Sequence, residues 1–219
     1  SLFDQRIKIG DWAALKDFLK VRDTLGIVGE PIQPFLALNF EDNPKNQMNR
    51  SINFYKNKNY ILSPQEQNLD NYKNKKIRIG YFSSDFYDHA TGRLIKGLLI
   101  SHNKSKFEIY LFSYGNHTNE NFINDIIEKI DSYHDISILS DLEILKLSRE
   151  KKIDIAIDLK GYTEGTRSKI FSYRLAPIQI NYLGYPGTMG NENIDYIIAD
   201  KTIIPDSQKK YYSEKIIYM

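Results

Sequence analysis

His89 is the side chain in this sequence best placed to handle a proton. It lies in Ile77 to Arg93, IRIGYFSSDFYDHATGR, where an apolar run passes into a polar loop carrying Ser83, Ser84 and Asp85, with Thr91 and Arg93 just beyond. An imidazole that titrates near neutrality takes a proton from a hydroxyl or holds one in place. A helix starting beside it favours the neutral ring and attracts an anion such as phosphate. A surface histidine bonded within its own loop is the competing reading of the same residues. A second candidate is Gly161-Tyr162-Thr163-Glu164-Gly165, which leaves an apolar run at Asp158. Its two glycines admit close backbone approach to a ligand, Thr163 both donates and accepts, and Arg167 can meet a phosphate or carboxylate as a fork. A plain strand-to-helix turn fits that loop as well. The third is Gly184-Tyr185-Pro186-Gly187-Thr188-Met189-Gly190, whose three glycines and one proline specify an unusual backbone path with amides free to line a pocket.

Elements of alternating type must carry these loops. Ile77–Ser83, Phe107–Ser113, His134–Leu139, Ile153–Leu159, Ile178–Leu183, Ile194–Ala199 and Lys215–Tyr218 read as strands. Between them, Gly92–His102, Glu120–Ile130, a helix capped by Asp141 and running through Arg149, and Thr166–Tyr173 read as helices. This rhythm predicts an α/β fold, a mainly parallel sheet with helices on both faces, and the loops above at its carboxyl edge. Residues 1–72 differ. Asp11 is placed to cap a helix whose Trp12, Leu15, Phe18, Leu19 and Val21 share a face, and Asp42-Asn43-Pro44 opens another with Met48, Ile52 and Tyr55 a turn apart. Pro31 and Pro34 hold an extended connection, and Tyr60 to Lys75 reads as a linker. The expected division is a short helical segment over 1–72 and a sheet domain over 73–219.

Composition narrows the function. With 41% hydrophobic residues in 219 the chain buries a real core, yet no apolar run approaches the roughly 18 residues that span a bilayer. A net charge of +2 with interleaved signs argues against nucleic-acid or membrane partners. The lack of cysteine excludes disulfides and thiolate metal sites and fits a cytoplasmic protein. His89, His102, His117 and His134 show no metal-ligand spacing, so no metal is expected. No G-x-G-x-x-G, Walker loop or G-x-S-x-G elbow occurs. Ser1 is not an initiator Met and the chain stops in the apolar SEKIIYM, so a longer parent protein is expected.

The residues themselves stop short of a reaction. Taken in order, however, IRIGYFSSDFYDHATGRL, FEIYLFSYG, DIAIDLKGYTEGTRSKIF, RLAPIQINYLGYPGTMG, DYIIAD and YSEKIIYM resemble the O-linked N-acetylglucosamine transferase family, including its bacterial SPINDLY-like members. GDWAAL and PFLALNFEDNPKNQMNRSINF resemble the family's stretch between helical repeats and catalytic region. The resemblance implies the first Rossmann-like half of a GT-B glycosyltransferase, with tetratricopeptide repeats before it and a second Rossmann-like half, bearing most nucleotide-sugar contacts, after it. It implies inverting transfer, without metal or other cofactor, of a sugar, GlcNAc foremost, from a UDP-sugar to a Ser or Thr hydroxyl of a protein or peptide. His89 then corresponds to the family's loop histidine as base or positioning group. Asp85, Thr91, Gly161, Tyr162, Thr163, Arg167, Tyr185, Pro186, Gly187 and Thr188 are the expected substrate-binding positions. The chain departs from animal members at Ala90, where they carry proline, and at Lys160, where they carry asparagine. A non-catalytic peptide-binding module is the alternative, and an unrelated nucleotide-binding enzyme on the same sheet is disfavoured by the missing glycine fingerprint.

Overall fold

The computed structural model describes residues 2–58, 73–115 and 120–219. The expected linker falls almost entirely outside them. Among the described residues four helices come first: α1 (Leu2–Lys8), α2 (Ala13–Val21), α3 (Pro34–Ala37) and α4 (Pro44–Asn57). In α2 the buried side chains are Ala14 and Phe18, while Trp12 and Leu19 are exposed, so the expected apolar face is rotated. Asp11 accepts from the Ala13 amide at 3.0 Å, one residue ahead of the cap position held by Trp12. Pro34 is the first residue of α3 rather than part of an extended connection. Asn43 caps α4 by accepting from the Asn46 amide at 3.1 Å, and Pro44 occupies the first turn, where a missing N–H costs nothing.

The inner face of α4 was not foreseen. It consists of Asn46, Gln47, Arg50, Ser51 and Phe54, not Met48, Ile52 and Tyr55. Arg50 is wholly buried, and its guanidinium is matched by the Glu41 carboxylate, the Leu25 carbonyl at 3.0 Å and the Arg22 carbonyl at 2.5 Å. A buried cation persists only with such partners, and a hydrophobicity pattern carries no trace of them.

Seven strands form one sheet: β1 (Ile77–Ser83), β2 (Phe107–Ser113), β3 (Ser132–Asp135), β4 (Ile155–Asp158), β5 (Ile178–Tyr182), β6 (Tyr196–Ala199) and β7 (Lys215–Tyr218). Their order is β3-β2-β1-β4-β5-β6-β7 and every neighbouring pair is parallel. Side chains alternate across the sheet. Ile79 and Tyr81 pack with Ile95 and Leu99 of α5 (Ala90–Ser101) and Ile123 and Ile126 of α6 (Glu120–Ile127). On the opposite face Phe82 and Ala156 pack with Ile144 and Leu145 of α7 (Asp141–Glu150) and with a 3₁₀ turn at Ser168–Tyr173. Phe82 and Phe112, partners in register, stack at 4.4 Å between ring centroids. Both faces are covered, as a parallel sheet requires.

Several elements differ from expectation, and β4, β5, β6 and α6 are each shorter than read. β3 ends at Asp135, because Ile136 and Leu139 leave the ladder to fill the core beneath α7. Ser140, not Asp141, caps α7, in a capping box with Glu143. The Thr166–Tyr173 helix is 3₁₀ and begins at Ser168. α4 is joined to the sheet domain: Phe54 packs on Tyr162 at 4.9 Å, and Gln47 and Ser51 bond the Tyr185 hydroxyl.

Candidate active site

β1 and β4 are neighbours, but the chain runs from β1 outward through β2 and β3 before returning to β4. Loops leaving a sheet at such a reversal part from one another and open a crevice. Close approaches tie these loops into one rim. A Cβ on Gly115, after β2, would lie 2.0 Å from the Ser84 carbonyl, and one on Gly165, after β4, would lie 3.9 Å from the Ser84 hydroxyl. Gly161 has φ +53°, and its added Cβ would come within 2.5 Å of the Tyr185 Cβ, so the loops after β4 and β5 interlock.

At the reversal a buried ion pair joins the loops. Lys160 donates to Asp85 Oδ2 at 2.9 Å and to Oδ1 at 3.1 Å, and both residues are buried. The Ser84 hydroxyl adds a bond to Oδ1 at 2.8 Å, and the Asp85 amide donates to Ser83 Oγ at 3.0 Å. Behind them Asp158 ends β4. Its Oδ1 accepts from the Lys160 and Gly161 amides at 2.9 and 3.0 Å, and its Oδ2 from the Ser168 hydroxyl at 2.7 Å. Burial nevertheless pushes its carboxyl above the ordinary range, against the downward pull of those bonds.

His89 caps α5 with an extended backbone. Its Nδ1 accepts from the Thr91 amide at 3.3 Å and stands 3.7 Å from Asp85 Oδ2, too far for a hydrogen bond. The ring is exposed, with no described residue bonded to Nε2. Thr91 thus serves through its backbone. Thr163 turns its hydroxyl back to the Lys160 carbonyl at 3.0 Å, closing the turn at Gly161.

The other expected positions lie elsewhere. Tyr162 and Tyr185 are 0% exposed and support the rim from beneath: Tyr162 donates to the Met189 carbonyl at 2.8 Å, and the Tyr185 hydroxyl accepts from Gln47 at 2.7 Å. Burial raises the Tyr185 phenol. Thr188, also buried, donates to Glu214 Oε2 at 2.7 Å, and burial raises the Glu214 carboxyl as well. The fork of Arg167 already grips its own chain, meeting Asp141 at 2.7 Å and the Leu139 and Ile136 carbonyls at 2.9 and 3.1 Å. Pro186 and Gly187 line a cavity of about 250 Å³ that α4 and the loops after β5 and β6 close, with Asp42, Gln47 and Tyr212 in its wall. That volume is below the roughly 300–1,000 Å³ of whole small-molecule sites.

The structure therefore gathers Asp85, His89, Thr91, Gly161 and Thr163 at the reversal, and puts Pro186 and Gly187 at a cavity. Asp158 and Glu214 were missed by reading the sequence, although each is an acid beside an apolar strand, where only a specific partner set makes it tolerable. Lys160 was visible only as a departure from a motif.

An open, doubly wound parallel sheet with polar loops crowded at its reversal point defines a Rossmann-type domain, a class whose ligands sit at the carboxyl edge of the sheet. The sequence profile of glycosyl transferase family 41 matches residues 48–219. Over 145 residues the chain is 36% identical to the probable UDP-N-acetylglucosamine–peptide N-acetylglucosaminyltransferase SEC of Arabidopsis thaliana, covering 66% of this chain and 15% of that protein. The Caenorhabditis elegans UDP-N-acetylglucosamine–peptide N-acetylglucosaminyltransferase is 34% identical over 146 residues, 66% of this chain and 13% of its own length. A solved O-GlcNAc transferase variant from Thermobaculum terrenum superposes with a TM-score of 0.74 at 21% identity, covering 94% of this chain and 40% of that one. The chain belongs to glycosyl transferase family 41, and its fold is that of part of a GT-B catalytic region. It spans less than a fifth of the plant and nematode relatives. No helix among the described residues is long and apolar enough to cross a membrane.

Proposed function

We propose that this chain is the first catalytic half of a cytoplasmic, metal-independent glycosyltransferase that moves GlcNAc from UDP-GlcNAc to Ser or Thr hydroxyls of a protein or peptide. The family match across residues 48–219 carries this reading. The acceptor oxygen attacks the anomeric carbon in line, the bond from that carbon to the phosphate oxygen breaks, and UDP leaves with the electron pair, so the centre inverts. With Nδ1 occupied by the Thr91 amide, His89 positions the acceptor by donating from Nε2–H, and the hydroxyl proton passes to water or to the leaving diphosphate. The sugar lies against the loop at Pro186-Gly187, which lines the cavity, while the turn at Gly161 holds that loop in place through Tyr185. The second Rossmann-like half supplies most of the diphosphate contacts, and repeats ahead of the chain hold the acceptor protein. A thermal-shift series tests ligand class, since a ligand binding only the folded state raises the midpoint. UDP and UDP-GlcNAc are expected to raise it slightly and NAD not at all; stabilisation by NAD alone would refute the reading.

A second reading, a non-catalytic peptide-binding module, is favoured by one observation. The rim carboxylate nearest His89 is already paired with Lys160, which leaves the ring without an acid partner.

A further inference from the structure

Three charged or titratable groups compete at the reversal of the sheet, and the outcome decides what His89 offers. Asp85 is buried and its two oxygens are taken by Lys160 and Ser84. His89 Nδ1 is left 3.7 Å away and turns to the Thr91 amide at 3.3 Å. A ring nitrogen that accepts a hydrogen bond carries no proton, so the neutral imidazole keeps its proton on Nε2.

We propose that Lys160 is a positioning residue that sets the tautomer of His89: by saturating the Asp85 carboxylate it keeps the proton on Nε2, so the rim presents an N–H donor instead of a basic lone pair. The converse arrangement is close at hand. Without the ammonium group, the Asp85 carboxylate would be buried with only the Ser84 hydroxyl bonded to it, a costly state. A move of less than an ångström brings His89 Nδ1 into bonding range as a donor, as in sites where an acid orients a general base. The ring would then expose Nε2 as a lone pair. Lys160 is itself 7% exposed and has no other described carboxylate in bonding range, so each member of the pair makes the other tolerable. The other charges on the loop are engaged locally, Asp88 with Arg93.

The consequence for transfer rests on the glycosyltransferase reading; the tautomer does not. Two-bond ¹⁵N–¹H correlation spectra of the histidine-labelled chain report which ring nitrogen is protonated, with the His89 signals assigned from a His89→Gln sample. The wild type is expected to show the Nε2–H form and Lys160→Met the Nδ1–H form. Asp85→Asn and the double variant Lys160→Met/Asp85→Asn, which buries no lone charge, are expected to keep the wild-type pattern. A wild-type ring protonated on Nδ1, or a double variant in the Nδ1–H form, overturns the proposal whether or not the single lysine variant folds. An unchanged tautomer in folded Lys160→Met does so too. Lack of transfer by the intact gene product would count against the proposed function and leave these spectra as they are.

Discussion

The imidazole of His89 shows how much one backbone amide decides. Placed as the cap of α5, it spends Nδ1 on the Thr91 N–H, and its remaining chemistry is that of Nε2. A donor aimed at a reacting group contributes about 10²–10³-fold. In the intact gene product, His89→Ala is therefore expected to lower kcat by about 10²-fold, while His89→Gln, which retains an N–H donor, keeps at least about tenfold more activity. Equal losses in the two variants would indicate that His89 acts as a base. Asp158 offers a test by pH. Burial raises its folded-state carboxyl above the 3.8 of an unperturbed aspartate. Below that value both states are protonated and nothing is at stake. As pH rises toward the folded value the unfolded chain ionises first, so stability falls and then levels off. Urea unfolding across that window should show the wild type losing ground to Asp158→Asn as pH increases. A wild type that gains ground would mean that the Lys160, Gly161 and Ser168 bonds outweigh burial.

Turns and interlocking loops govern at the scale of elements. Gly161 stands at φ +53° with the Tyr185 Cβ where its own would be. Gly161→Ala should lose roughly 2–4 kcal/mol in chemical denaturation through left-handed strain and overpacking; a loss below about 1 kcal/mol would show that the loops can part. Tyr185 ties α4 to the loop after β5 through Gln47 and Ser51. Tyr185→Phe strands the buried Ser51 hydroxyl and is expected to destabilise by about 1–3 kcal/mol, with a neutral result contradicting the role given to α4. The sheet was legible because β1, β2 and β7 are rich in β-branched and aromatic residues, and their bounds match the reading residue for residue. β3 was not, because ISIL after Asp135 is as apolar as a strand, while only Ile136 and Leu139 enter the core and Ile138 is exposed. The polar face of α4 was hidden for the opposite reason: its partners are carbonyls and side chains more than twenty residues distant, and periodicity counts only apolar groups. Within the site, the glycine loops were visible as sequence. Which of their side chains face the rim was not, and Tyr162, Tyr185, Thr188 and Arg167 proved to be its supports.

For the whole molecule the open sheet is the decisive feature. Its reversal lies between β1 and β4, its carboxyl edge carries the assembled rim, and the cavity at Pro186 and Gly187 along that edge has room for only part of a nucleotide sugar. Under the proposed function the remaining contacts fall to a facing half, with acceptor positioning on this chain and diphosphate binding on the other. The most direct test is transfer of labelled sugar from UDP-GlcNAc to Ser- and Thr-bearing peptides in the presence of a metal chelator, comparing the intact gene product with residues 1–219 alone. Chelator-resistant turnover by the intact protein and none by the 219-residue chain is the expected result. Multiple turnovers by that chain, or no transfer by the intact protein, would contradict it.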